Sequence, residues 1–206
     1  MNVFTIVTGN FAENTYIIAN ENSSDCCVID PGEDRVKIDG FLEQHSFNPK
    51  AILLTHGHFD HIEAVNFLRK KYLCPVFAYK DEYEMLTSPE KNLSSSFCSE
   101  PIVIESPEKL LSDNESFSVA GLDFTVIHTP GHSKGSVVYR CDNLLFSGDT
   151  LFNGCCGRCD LWGGNTKEMK ASLDRIFAER ENLIVYPGHD LPTTLDKERT
   201  VYKFFI

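Results

Sequence analysis

His56, Gly57, His58, Phe59, Asp60 and His61 gather three of the chain's seven histidines and one aspartate into six residues. Imidazole nitrogen is a borderline-soft ligand and carboxylate oxygen a hard one, a mixture that suits zinc, iron or manganese. The same kind of side chain recurs further on, each time just past the end of an apolar run. Ile127 leads to Gly131 and His132, Phe146 to Gly148 and Asp149, and Tyr186 to Gly188 and His189, as Leu53 leads to His56. Taken singly, His132 reads as a turn residue, Asp149 as a helix cap and His189 as a loop residue. Beside the first cluster they read as ligands carried on the rigid ends of strands. The set is then His56, His58, Asp60, His61, His132, Asp149 and His189, enough for two divalent metal ions with open positions. His45 is expected at a helix C-terminus, where a partly charged imidazole is favourable, and His128 within a strand.

The elements that must position these residues follow from periodicity. Strands are expected over Val3–Val7, Thr15–Ala19 and Cys26–Ile29, the last closed by a turn at Asp30-Pro31-Gly32. Ile38, Phe41 and Leu42 share helical spacing within Asp34–His45. Ala51–Leu54 is a buried strand that delivers the chain into His56, and the spacing of Ile62, Val65, Leu68 and Tyr72 predicts a helix after the motif. Asp81–Leu86 reads as a helical turn and Ser88–Ser99, rich in serine, as a loosely ordered surface loop. Strand signal returns at Ser116, then over Leu122–Ile127, Val137–Tyr139 and Leu144–Ser147, with Asp142-Asn143 as a turn. Asn165 and Glu168 form a capping box before a helix whose apolar face is Met169, Leu173, Ile176 and Phe177. Leu183–Tyr186 is a last strand, and a short helix follows from about Thr194.

Composition bounds the partners. The 206 residues suit one domain, 1–206, with an ordinary soluble balance of 42% hydrophobic and 24% charged residues. A net charge of −11 argues against nucleic acid as the main partner. No secretory leader or membrane-length apolar run is visible, so a cytoplasmic setting without membrane attachment is expected. Eight cysteines include the adjacent pairs Cys26-Cys27 and Cys155-Cys156, a placement unlike a disulfide framework. Cys156 and Cys159 make a lone C-x-x-C with no second pair to complete a four-thiolate zinc site.

THGHFDH at 55–61, TPGHSKGSV at 129–137, FSGDT at 146–150 and YPGHD at 186–190 resemble, in order and rough spacing, the metallo-β-lactamase superfamily. Within it they resemble the glyoxalase II, or hydroxyacylglutathione hydrolase, branch. The resemblance implies an α+β fold: a four-layer αββα sandwich of two mixed β-sheets with the metals at one edge. It implies that His56, His58 and His132 hold one ion, that Asp60, His61 and His189 hold the other, and that Asp149 bridges them. The ions would be zinc, with iron or manganese as alternatives, and a hydroxide between them would attack a small-molecule thioester or ester. Asp60 would both ligate and orient that hydroxide.

Arg158 falls where glyoxalase II has a basic substrate contact, and an intraloop pair with Asp160 is its other reading. Asp160 itself departs from the tyrosine of that enzyme. Against the resemblance, a chain of 206 residues is expected to be a short form without the C-terminal helical domain that supplies much of the glutathione site. The alternatives are a persulfide dioxygenase with a single iron, and a lactonase or other ester hydrolase. An aspartate at 149, where many β-lactamases place cysteine, speaks against antibiotic hydrolysis, and His58 speaks against the flavodiiron branch.

Overall fold

A computed structural model describes residues 1–202. The first half of the chain runs β1 (Asn2–Thr8), β2 (Glu13–Ala19), β3 (Asp25–Ile29), α1 (Arg35–Gln44), β4 (Asn48–Leu53), α2 (Phe59–Ile62), α3 (Val65–Tyr72) and β5 (Val76–Tyr79). A 3-10 turn at Lys80–Glu82 leads to the short helices α4 (Tyr83–Leu86) and α5 (Ser94–Phe97), then β6 (Lys109–Leu111). The second half runs β7 (Ser116–Val119), β8 (Leu122–His128), β9 (Val137–Cys141), β10 (Leu144–Gly148), α6 (Thr166–Phe177), β11 (Ile184–Pro187), β12 (Thr193–Thr194) and α7 (Leu195–Val201).

The strands form two six-stranded sheets, one ordered β1 to β6 and the other β12 to β7. Both are mixed: β1, β2 and β3 pair antiparallel while β3 to β6 pair parallel, and β10 pairs parallel with β11 inside an otherwise antiparallel second sheet. Period-two alternation sends Tyr16, Ile18, Ile29, Leu53, Tyr139 and Phe146 into the space between the sheets. Ile17, Val28 and Ile52 point the other way, against Ile38, Leu42 and Leu68 of α1 and α3. Val138, Leu145 and Val185 meet Met169, Leu173 and Ile176 of α6 and Leu195 of α7. Three apolar layers between four structural ones make the αββα sandwich.

Several expectations shift. The helix after the motif begins inside it: Phe59, Asp60 and His61 already belong to α2, and α3 follows after a break. Asn165 caps α6 through its side chain, accepting from the Lys167 and Glu168 amides, but its own amide donates to the Gly131 carbonyl, so no reciprocal box forms with Glu168. The serine-rich stretch is pinned down rather than loose. Asn92 and Ser94 are buried and exchange hydrogen bonds with Ile102, while the Asn92 carbonyl accepts from the Phe59 amide at 2.9 Å. β5 and β6, which no sequence signal announced, complete the parallel half of the first sheet. The eight cysteines are free.

Candidate metal centre

The C-terminal ends of β3, β4, β8, β10 and β11 open onto one edge of the sandwich, because all five run in the same sense within their sheets. The seam between sheets is closed there. The Asn14 amide donates to the Gly188 carbonyl at 2.8 Å, the Asn14 side chain reaches the Pro187 carbonyl at 3.0 Å, and the Tyr16 hydroxyl reaches the same carbonyl at 2.6 Å.

All seven side chains expected as ligands meet at this edge. His56, His58 and His132 form one trio with mutually close ligand atoms, and Asp60, His61 and His189 form another. Asp149 lies between them: Oδ1 is 3.3 Å from His61 Nε2, and Oδ2 is 3.5 Å from His132 Nε2 and 3.6 Å from His189 Nε2. His58 Nδ1 and His132 Nε2 approach to 2.8 Å. Two glycines make the approach possible. A Cβ on Gly188 would stand 2.2 Å from Asp149 Oδ1 and 2.7 Å from His61, and Gly148, at φ 47°, lies where a Cβ would meet the Thr55 hydroxyl at 2.2 Å.

The outer nitrogen of each imidazole except His58 is committed to the protein. His56 Nδ1 lies 3.1 Å from Thr55 Oγ1, His61 Nδ1 3.1 Å from Asp30 Oδ2, His132 Nδ1 2.8 Å from the Arg158 carbonyl and His189 Nδ1 3.0 Å from the Phe11 carbonyl. These acceptors hold the proton on Nδ1 and turn the Nε2 lone pair toward the centre, the arrangement a metal ligand requires. Thr55 donates its hydroxyl to Asp30 at 2.5 Å, so Asp30 anchors both His61 and, through Thr55, His56.

Among the described residues, the buried side-chain atoms without a hydrogen-bond partner are His56 Nε2, His58 Nε2, His61 Nε2, Asp149 Oδ1 and Glu13 Oε1. Four of the five belong to this cluster, where unpaired acceptors would be costly without a cation to satisfy them. The electrostatics agree. Burial, reinforced by the charge of His61, holds His56 well below the usual imidazole range, and burial beside His132 brings His58 down to about 3. Burial opposes charge on His61 too, yet Asp149 and Asp60 overcome it and hold His61 well above its usual range. Burial likewise opposes ionisation of Asp149, and His61 overcomes it, keeping that carboxylate charged. The pocket requires positive charge at its centre, which fits a pair of divalent ions.

Residues 8–189 match the sequence profile of the metallo-β-lactamase superfamily. The chain belongs to that superfamily. Metallo-β-lactamase superfamily proteins bind divalent metals, and relatives of this chain include a probable metallo-hydrolase and a hydroxyacylglutathione hydrolase. Probable metallo-hydrolase YqgX of Bacillus subtilis is 31% identical over 93% of this chain and 91% of its own length. The hydroxyacylglutathione hydrolase of Klebsiella pneumoniae is 31% identical over 92% of this chain, and the match spans 66% of that enzyme. Among solved structures, the BLEG-1 B3 metallo-β-lactamase shares 37% identity at a TM-score of 0.92, covering 98% of this chain and 99% of its own. TTHA1623 in a di-iron-bound form shares 32% at 0.84, covering 98% and 100%. ETHE1 from Myxococcus xanthus shares 26% at 0.81, covering 98% and 83%.

Three acids of this superfamily member escaped the sequence reading. Asp30 reads as a turn residue beside Pro31 and Gly32, although it follows the apolar run ending at Ile29 just as His56 follows Leu53. Glu13 is buried and accepts from Thr8 at 2.7 Å and Thr15 at 3.0 Å. Glu82, 1% exposed, accepts from the Gly57 amide at 2.8 Å, the Gly135 amide at 2.7 Å and the Ser133 hydroxyl at 3.0 Å, tying two ligand loops together. His45 caps α1 beside Phe41, and His128 stacks on Tyr79, both structural as expected. Arg158 forms a two-pronged pair with Asp160 at 2.7 and 2.8 Å.

Proposed function

We propose that the chain is a cytoplasmic thioester hydrolase of the same reaction type as hydroxyacylglutathione hydrolase. His56, His58 and His132 would hold one divalent ion and Asp60, His61 and His189 a second, with Asp149 shared. The observation that carries this reading is the pair of complete trios on either side of one carboxylate. When bound, the ions would supply a hydroxide at neutral pH and polarise the substrate carbonyl. Asp60, whose carboxylate would be kept ionised by the ion it helps to hold, would orient the attacking oxygen. Water adds to the carbonyl carbon, the C–S bond breaks, and an acid and a thiol leave. Zinc is the proposed metal; the di-iron form of TTHA1623 makes iron the alternative.

The second reading is persulfide oxygenation, supported by the likeness to ETHE1. A single-iron oxygenase would leave Asp60, His61 and His189 as a trio of converging ligand atoms with nothing to hold, which favours hydrolysis. The deciding experiment is elemental analysis followed by assay against thioesters, lactones, a β-lactam and a persulfide. Two metals per chain with thioester cleavage and no oxygen uptake is expected. One iron per chain with oxygen consumed in the presence of the persulfide would overturn the proposal.

A further inference from the structure

The approach to the seven ligands is walled by rings. A cavity of about 520 Å³, within the size range of small-molecule sites, has His58, Asp60, His132, Asp149 and His189 at its floor. Above them stand Phe11, Phe59, Leu93, Phe97, Phe152 and Leu161. Phe59 and Phe97 stack with their centroids 5.1 Å apart, and Phe11 meets both edge-on at 5.3 and 5.5 Å. Phe152 lies edge-on to His189 at 5.9 Å.

Two of these rings, Phe11 and Phe97, lie outside the core and pack over Phe59, which belongs to it. Phe11 is 48% exposed and Phe97 57% exposed, while Phe59 beneath them is 4% exposed. A contiguous exposed aromatic surface rimming a polar floor is the usual mark of a ligand site. Each wall is also fixed relative to the floor. Phe11 holds His189 through its carbonyl, Phe59 sits between two ligand residues in sequence, and Phe97 belongs to the segment that Asn92 fastens to Phe59.

Charge is scarce on this approach. Apart from the histidines, Arg158 is the one cationic side chain lining the cavity among the described residues, and Asp160 already takes its guanidinium. A substrate that brings carboxylates would find no uncommitted cation on these walls. A bulky uncharged group would instead bury apolar area against three phenylalanines, a gain of about tenfold in affinity for every two methylenes covered.

Resting on the hydrolase reading above, we infer that the acyl group this site takes is bulky and apolar, a medium-chain or arylalkyl acyl chain seated on Phe11, Phe59 and Phe97. The reaction class stays that of a thioester hydrolase; the acyl specificity is set by the ring wall.

Two measurements separate this inference from the hydrolase reading. The first is calorimetric titration of the metal-loaded protein with S-methyl, S-hexyl and S-phenethyl ethers of N-acetylcysteamine, which cannot be hydrolysed. The hexyl and phenethyl ethers should bind at least about tenfold tighter than the methyl ether, and Phe97→Ala should remove most of that difference. The second is cleavage of acetyl, hexanoyl and phenylacetyl thioesters of the same thiol. Phe97→Ala and Phe11→Ala should lower kcat/KM for the phenylacetyl ester about tenfold more than for the acetyl ester. Leu73→Ala, an exposed apolar residue outside the mouth, should change neither. Binding graded by apolar size without any cleavage would sink the hydrolase reading and support the ring-wall inference. Cleavage and binding indifferent to acyl size, or equal losses for both esters in Phe97→Ala, would overturn the inference and leave the hydrolase standing.

Discussion

His61 is fixed by Asp30: Nδ1 of the imidazole lies 3.1 Å from Oδ2 of a carboxylate that also accepts the Thr55 amide at 2.7 Å and the Thr55 hydroxyl at 2.5 Å. One buried acid thereby sets the ring orientation of His61 and, through Thr55, of His56. Loss of such an outer partner typically weakens metal binding or activity by about 10- to 100-fold. Asp30→Ala is expected to fall in that range while Asp30→Asn, which keeps one acceptor, loses less. Metal retained after dialysis against a chelator, and hydrolysis rate, measure both; unchanged retention in Asp30→Ala would refute the anchoring role.

Gly188 gives a sharper test of close packing. A methyl group there would lie 2.2 Å from Asp149 Oδ1 and must displace the carboxylate or the strand end behind it. Gly188→Ala should abolish metal binding and lower hydrolysis more than about 100-fold, because a misplacement near 1 Å is that costly in an assembled site. Far-ultraviolet circular dichroism should report an intact fold. Gly40→Ala, where a Cβ meets nothing within 4 Å, is the matched control.

Arg158 acts in two parts. Its carbonyl positions His132 at 2.8 Å, whereas its guanidinium is paired with Asp160 on the surface. Arg158→Ala keeps the carbonyl and should leave metal content unchanged. The expected change in kcat/KM for an uncharged thioester is below about threefold, since exposed pairs contribute little. A tenfold rise in KM confined to anionic thioesters would show that the guanidinium leaves Asp160 to meet substrate.

Glu82 predicts a pH dependence. Burial pushes its carboxyl up to about 7, against hydrogen bonds from Ser133, Gly57 and Gly135 that favour the ion. The unfolded chain releases this proton near the ordinary value of 4.5. Between those two values the folded state binds more protons, so this group's contribution to stability is greatest below pH 4.5 and is lost as pH rises to 7. Urea unfolding of the metal-free protein at pH 5, 6, 7 and 8 should show wild type losing up to about 3 kcal/mol relative to Glu82→Gln across that window. A constant difference between the two proteins would refute the shift.

Metal removal should destabilise the whole sandwich. Ligands drawn from both sheets lose their common partner and leave unpaired buried nitrogens. At free metal a thousandfold above Kd, binding adds about 4 kcal/mol to folding. A chelator should therefore lower the thermal midpoint by several degrees, and zinc or ferrous ion should restore it. An unchanged midpoint would separate these residues from metal binding.

The cluster of expected ligands was legible because His56, His132, Asp149 and His189 each follow an apolar run, where an abrupt polar residue is conspicuous in one dimension, and His58, Asp60 and His61 crowd behind the first of them. The residues that hold the ligands were less so. Asp30 obeys the same pattern, yet Pro31 and Gly32 give it a sufficient local explanation as a turn. Glu82 has no local mark beside Asp81 and Glu84; only the approach of Gly57 and Gly135 from distant parts of the chain buries it. β5 and β6 are short parallel strands whose partners lie far off in sequence, so neither alternation nor a tight turn announces them. Phe97 stands in a run of serines that signals solvent, and its stacking on Phe59 depends on the Asn92 contact, which sequence periodicity does not encode.

The bond between His189 and Phe11 joins residues 178 positions apart. A chain emerging from the ribosome therefore completes its first sheet long before it can complete its chemistry. Until the strand that ends at Pro187 has docked, Asp60 and His61 have no third companion and Phe11 has nothing to grip. A nascent chain stalled before residue 189 would therefore lack the third member of the Asp60, His61 and His189 trio.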